Sequence, residues 1–253
     1  MRTIAIANQK GGAGKTTTTV NLAAALAERG QAVLIIDLDP QASASAWLGI
    51  QDEAAGDALL QVLTEGGELT PLARPSTAER VEMIASSLTL TRAEVALRDA
   101  IGGEHALREL LAGIPAGRWD FVLIDCPPAL GRLTACALAA APELLVPCEI
   151  SALSLAGLAA LRKTVTAARR RLNPELSMAV LPCRVDNRTR LSRALVERLE
   201  RDPELHTLRT RIRESVKARE APASRQSLLA YAPESGAAED YRSLAAELLE
   251  KRI

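Results

Sequence analysis

With two Trp, two Tyr and one Phe in 253 residues, the chain has few aromatic side chains from which to build an interior. Yet 48% of its residues are hydrophobic, so the core must be assembled from Ala, Leu, Val and Ile, a composition that suits helices packed closely on a sheet. Cysteine is scarce as well. Cys126, Cys136, Cys148 and Cys183 form no C-x-x-C pair, which argues against a zinc or disulfide framework and for reduced thiols in a cytosolic protein. The two histidines, His105 and His206, belong to no motif and read as surface or packing residues, so a histidine general base is not expected. The chain opens directly on a β-type segment, and no apolar run reaches the roughly 20 residues of a membrane span, so neither secretion nor insertion in a bilayer is expected. The net charge is zero and excludes nothing by itself.

The distribution of that charge is uneven. Residues 160–226 carry 17 Lys and Arg against 8 Asp and Glu, whereas residues 1–159 carry 11 against 18. Such asymmetry fits a face for a polyanion or, alternatively, a solvated arginine-rich helical surface.

Short apolar runs at residues 3–7, 32–36, 81–85, 121–124, 144–147 and 178–181 read as buried strands. Helical periodicity lies between and after them, notably at 16–29, 153–172, 191–199 and 237–249, with Gly30 as a stop signal. Alternating strands and amphipathic helices predict an α/β fold: a doubly wound, mostly parallel sheet with helices on both faces, and ligands held beyond the carboxyl ends of the strands. No Gly-, Ser- or Pro-rich linker divides the chain, so a single domain over residues 1–253 is expected.

The sharpest local signal is Gln9-Lys10-Gly11-Gly12-Ala13-Gly14-Lys15-Thr16, placed between the first strand and the first helix. Glycines there let backbone N–H groups turn inward around phosphate oxygens, and the helix N-terminus adds a favourable dipole. Lys15 would reach the β- and γ-phosphates, and the Thr16 hydroxyl would ligate Mg²⁺. The strict phosphate-loop pattern has glycine where Gln9 stands, and Lys10 is an additional cation. Two carboxylate elements follow strands, Asp37-Leu38-Asp39-Pro40-Gln41 and Asp125-Cys126-Pro127-Pro128. A carboxylate at the end of a buried strand beside a phosphate loop can hold Mg²⁺ directly or through water, and Asp125 has the Walker B position.

Lys10-Gly11-Gly12-Ala13-Gly14-Lys15-Thr16-Thr17 resembles the deviant Walker A box of the ParA/Soj partitioning ATPases, relatives of MinD and the nitrogenase iron protein. The resemblance extends over nearly the whole chain. It includes Leu144 to Glu149 followed by Ser154-Leu155-Ala156-Gly157-Leu158, Val185-Asp186-Asn187-Arg188-Thr189, Glu220-Ala221-Pro222, and Tyr231 to Ala238. It implies a P-loop ATP hydrolase that binds ATP and Mg²⁺ through residues 10–17. In such a protein Lys10 would contact phosphates across a two-fold interface, so that ATP joins two subunits into a sandwich dimer. Asp39 would orient or activate the attacking water, and Asp37 would support the metal site with Thr16 and Asp125. Lys10 and Lys15 would neutralise the triphosphate. Arg213 and Ser215 occupy the positions where the family carries the Pro and Asn that flank adenine, Glu214 that of its usual arginine, and Ala42 that of a frequent glycine.

The same resemblance implies non-specific binding of double-stranded DNA by the ATP dimer and stimulation of a slow basal hydrolysis by a ParB/Spo0J-type partner. The location would be the cytoplasm, on the nucleoid. Lys217 matches a DNA-contacting position, with Arg213, Arg219 and Arg225 as neighbours. A MinD-like membrane-associated or cargo-positioning ATPase is the alternative. Its anchor would need a basic, bulky amphipathic end, whereas residues 240–250 are acidic and read as a helix packed on its own domain. An iron–sulfur or metal-delivery ATPase would need converging cysteines, and Cys126 and Cys136 read instead as buried apolar thiols.

Overall fold

The computed structural model describes residues 1–50, 52–186 and 188–253, and for residues 152–156 the backbone alone. Asn187 of the D-x-R-T element and the side chains of Ser154, Leu155 and Ala156 therefore lie outside the described residues. Strands β1 (Arg2–Ile6), β2 (Val33–Asp37), β3 (Arg74–Pro75), β4 (Val81–Ile84), β5 (Phe121–Asp125), β6 (Glu143–Glu149), β7 (Ser177–Cys183) and β8 (His206–Thr207) form an eight-stranded sheet. Their order is β3-β4-β2-β5-β1-β6-β7-β8. Every neighbouring pair is parallel except β3 with β4. The helices are α1 (Lys15–Glu28), α2 (Ser43–Trp47), α3 (Glu53–Glu65), α4 (Thr91–Asp99), α5 (Ala106–Ala112), α6 (Arg132–Ala140), α7 (Ala152–Arg171), α8 (Arg190–Glu200), α9 (Val216–Glu220), α10 (Leu228–Tyr231) and α11 (Gly236–Glu250).

Strand alternation sorts the apolar side chains into two cores. Ile4, Ile6, Ile35, Leu123 and Leu145 face Leu22 and Leu26 of α1, Trp47 of α2 and Tyr241 and Leu244 of α11. Ala5, Leu34, Ile36, Val122, Ile124 and Leu144 face Leu59 of α3, Leu97 of α4, Leu110 of α5, Leu133 of α6 and Leu161 of α7. Each large aliphatic side chain taken from water contributes roughly 1.5–3 kcal/mol, so aliphatic residues cover most of both faces, with Trp47, Trp119, Phe121 and Tyr241 buried among them. Alanines make the approach of α1 to its neighbours close, and the buried Asn21 on α1 joins two elements. Its Nδ2 donates to the Thr17 carbonyl at 2.7 Å and its Oδ1 accepts from the Leu228 backbone N–H at 2.7 Å.

The expected doubly wound sheet is thus observed, and the six predicted strands recur as β1, β2, β4, β5, β6 and β7. The terminal helix lies on its own sheet, with Ala237, Ala238, Tyr241, Leu244, Ala245 and Leu248 buried. The strands absent from the sequence reading, β3 and β8, are two residues each, too short to show alternation. Because β1 lies between β5 and β6, the chain reverses its winding there, and β1, β2, β5 and β6 deliver their carboxyl ends to one pole.

Candidate nucleotide site

The pole is organised by the turn that leaves β1. Gly14 caps α1 with φ 96°, a left-handed conformation that a side chain would strain, and its carbonyl accepts the first helical N–H, from Thr18, at 2.8 Å. Asn8 fixes the near side of the loop. Its Oδ1 accepts the Lys10 N–H at 3.0 Å while its Nδ2 donates to the Pro147 carbonyl on β6 at 2.7 Å. Lys15, on the first turn of α1, is 7% exposed.

Parallel register does the rest. Ile6 of β1 and Asp37 of β2 both pair with Asp125 of β5, so the two carboxylates stand side by side, each fully buried. Asp125 accepts the Thr16 hydroxyl at 2.8 Å through Oδ2 and the Thr19 hydroxyl at 3.0 Å through Oδ1. Asp37 Oδ2 accepts both the N–H (2.9 Å) and the hydroxyl (2.7 Å) of Ser45, and its Oδ1 accepts the Asp39 N–H at 3.0 Å. Asp37 therefore holds the backbone of the residue expected to position water. Asp39 is itself 8% exposed and takes the Gln41 N–H at 3.0 Å. Ala42 follows at φ 51°, a left-handed conformation where glycine is unstrained, at the position singled out in the sequence for lacking one.

Burial pushes both carboxyls up from the ordinary carboxylate range, and for Asp125 the neighbouring Asp37 charge adds to the effect. Paired buried carboxylates of this kind are relieved by a divalent cation. Among the described residues no cluster of three or more His, Cys, Asp or Glu could hold one alone. Mg²⁺ suits such a place, since it is held by one or two carboxylates, a hydroxyl and substrate phosphates rather than by an all-protein cage. Thr16, Asp125 and Asp37 fit that requirement.

Beside the loop lies a cleft of about 280 Å³, lined by Gly12, Gly14, Thr17, Ile212 and Tyr241 with Arg184, Arg213 and Ser215. The structure thus brings Arg213 and Ser215 beside the phosphate loop. Both spend their polar groups on the protein. Arg213 forms a bidentate pair with Asp240, Nε at 2.8 Å and a terminal nitrogen at 2.7 Å, and the Ser215 hydroxyl accepts the Ala218 N–H as the cap of α9. Arg219 lines the same cleft, whereas Lys217 and Arg225 do not. Lys217 Nζ sits 2.9 Å from Glu220 and over the Tyr231 ring, Arg219 is 3.7 Å from Glu214, and Arg225 is an exposed residue at φ 53°.

Several residues of the site carried no assigned role in the sequence. Thr19 lies four residues after Lys15, one helical turn on, which is what brings its hydroxyl to Asp125. Glu149 ends β6 and forms an ion pair with Lys10, and Arg184 after β7 pairs with the same carboxylate. Only the strand register shows that pairing. All four cysteines are buried, Cys126 and Cys136 among them as the sequence suggested.

A phosphate loop on a doubly wound sheet, with a threonine–carboxylate pair at its base, defines a P-loop nucleotide hydrolase. The AAA domain family model matches residues 1–178. The sporulation initiation inhibitor protein Soj of Bacillus subtilis is 35% identical over 246 residues, 97% of each chain. The chromosome-partitioning ATPase Soj of Thermus thermophilus is 36% identical over 255 residues, covering 98% of this chain and 96% of that one. Among solved structures, cobyrinic acid a,c-diamide synthase from Mycobacterium smegmatis with bound ATP analog and magnesium superposes with a TM-score of 0.86 at 32% identity, over 99% of this chain and 95% of that chain. The chain belongs to the ParA/Soj family of ATPases.

Proposed function

We propose that this chain is an ATP-dependent partitioning switch, working as one domain over its whole length. In this reading ATP and Mg²⁺ bind at the phosphate loop, two subunits close on the nucleotides, and the dimer binds double-stranded DNA without reading its sequence. Hydrolysis, slow alone and stimulated by a ParB/Spo0J-type protein, releases the DNA. The observation that carries the reading is Lys10, a second lysine on a loop whose own phosphate-binding cation, Lys15, is already in place on α1. A single subunit needs one such lysine, while a triphosphate shared by two subunits can use both.

The geometry supports the following division of labour. Backbone N–H groups of residues 11–16 and the α1 dipole hold phosphate, with Lys15 beside it. Mg²⁺, held by Thr16 and Asp125 with Asp37 in support, supplies charge neutralisation at the phosphates. Asp39, its backbone fixed by Asp37, orients the attacking water. Phosphoryl transfer demands chiefly position and charge, so one such carboxylate suffices. The segment carrying Arg213, Lys217, Arg219 and Arg225 supplies the DNA contacts. The Lys217 and Arg219 ion pairs are exposed and individually weak, so phosphates can replace their carboxylates, whereas Arg213 stays paired with the buried Asp240.

The test uses Asp39→Ala with ATP. Light scattering should show a stable dimer, and that dimer should bind random-sequence duplex at low salt and release it as salt rises. A dimer that ignores duplex DNA and binds anionic vesicles would replace this reading with a membrane-associated one. A protein that stays monomeric at saturating ATP would overturn it.

A further inference from the structure

Glu149 and Cys183 are register partners on β6 and β7, so the residue after Cys183, Arg184, emerges beside the Glu149 carboxylate. Arg184 leaves the strand at φ 56°, a conformation uncommon for a side-chain-bearing residue, and reaches two carboxylates at once. One terminal nitrogen lies 3.1 Å from Glu149 and its Nε lies 2.7 Å from Glu214. The Glu149 carboxylate also receives the Lys10 ammonium. One acid thus has two cations, one on the phosphate loop and one on the neighbouring strand end. These cations hold the Glu149 carboxyl below its ordinary range, with Lys10 the stronger influence.

The two cations are not equivalent. Lys10 sits on a glycine-rich turn, and its charge is the one that would move to a phosphate. Arg184 is anchored at its other side by Glu214, and its forked guanidinium can satisfy both acids simultaneously, which a single ammonium does poorly. Glu149 is 22% exposed with Lys10 in place, and if Lys10 leaves it keeps Arg184 as a partner. We propose that Arg184 is a positioning residue for ATP-driven assembly: it is the standing counter-charge of Glu149, and by neutralising that acid it lets Lys10 depart for the phosphates of the partner subunit's nucleotide. Without it, Glu149 would hold Lys10 more tightly and assembly would need more ATP. This rests on the reading of Lys10 given above.

The experiment measures dimer fraction by sedimentation velocity against concentration of a non-hydrolysable ATP analogue, and ADP affinity on the monomer. Lys10→Ala is the control for the parent reading; if it assembles as readily as wild type, that reading fails before Arg184 is considered. Given that it does not, Arg184→Ala should shift half-maximal assembly about three- to fivefold to higher analogue concentration, the scale of one half-exposed ion pair. Arg184→Lys should recover part of the shift. Adding Glu149→Gln to Arg184→Ala should bring assembly back to the wild-type concentration or below, because the acid that detains Lys10 is then neutral. An Arg184→Ala shift that persists in the double variant would overturn the proposal. So would a shift no larger than the variant's loss of ADP affinity, which would make Arg184 a nucleotide contact instead.

Discussion

Asp37, Asp125 and Lys15 are nearly sealed from water, while the Lys217 and Arg219 side chains are 55% and 65% exposed. At the first group, position is dictated by the register of β1, β2 and β5, and burial beside Asp37 disfavours the charged form of Asp125. At the second, Lys217 and Arg219 each have an acidic neighbour that solvent screens and that a competing anion can displace, whereas Arg213 is held by the buried Asp240. The buried pole is therefore a fixed instrument whose electrostatic cost is relieved by its ligand. The basic segment is an adjustable surface whose strength the medium sets.

The sharpest way to break this comparison is Asp125→Asn. Loss of the metal-supporting charge should lower ATP hydrolysis on the order of 100-fold, read as phosphate release. The same change should stabilise the nucleotide-free protein. A carboxyl whose folded pKa lies above its unfolded value costs stability as pH rises from about 4 toward neutrality, and asparagine carries no such cost. Thermal unfolding without Mg²⁺ should thus occur a few degrees higher in Asp125→Asn at neutral pH, with a flatter pH dependence between about pH 5 and 8. A melting temperature equal to or below that of wild type would show that the pole stores no such cost.

Next in size is the exposed side. Arg219→Ala with Arg225→Ala should reduce the slope of log affinity for duplex DNA against log salt by roughly 0.9 for each phosphate no longer neutralised, with nucleotide-driven assembly retained. An unchanged slope would remove both residues from the DNA surface. Burial pushes the Cys136 thiol up to about 12 and the Cys148 thiol up to about 11, and raises Cys126 and Cys183 further. Ellman's reagent at about pH 8 should accordingly find no fast-reacting thiol in the native protein and all four after denaturation. The smallest effect is local: Ala42→Gly, at φ 51°, should raise stability by about 1 kcal/mol, seen as a melting shift of about 2–4 °C. A decrease would show that the turn after Asp39 gains nothing from glycine.

How much of this could be read in the sequence depended on range. The phosphate loop, the strand ends and the carboxylates after them are local patterns, and Lys15, Thr16 and Asp125 meet where those patterns imply. Ala42 stood out for the residue it replaces, and its left-handed backbone supplies the physical content. The partners of Lys10 and Arg213 were not legible, because Glu149 is 139 residues from Lys10 and Asp240 is 27 from Arg213. Such pairings are created by strand order and helix docking, which periodicity does not encode. The same holds for the basic segment. Its charge excess is visible in composition, but that Lys217 and Arg219 each lie against a carboxylate is a fact of folding.

The central place of β1 also governs how the protein is made. Arg2 pairs with Phe121, and Asn8 steadies the phosphate loop against Pro147. On a ribosome adding about 5–20 residues each second, the first strand waits roughly 6–24 s for its nearest neighbour on β5 to be synthesised. Until β5 and β6 have both emerged, the loop that will grip ATP hangs from a strand with two open edges. Chaperone engagement is expected to concentrate on this interval of synthesis.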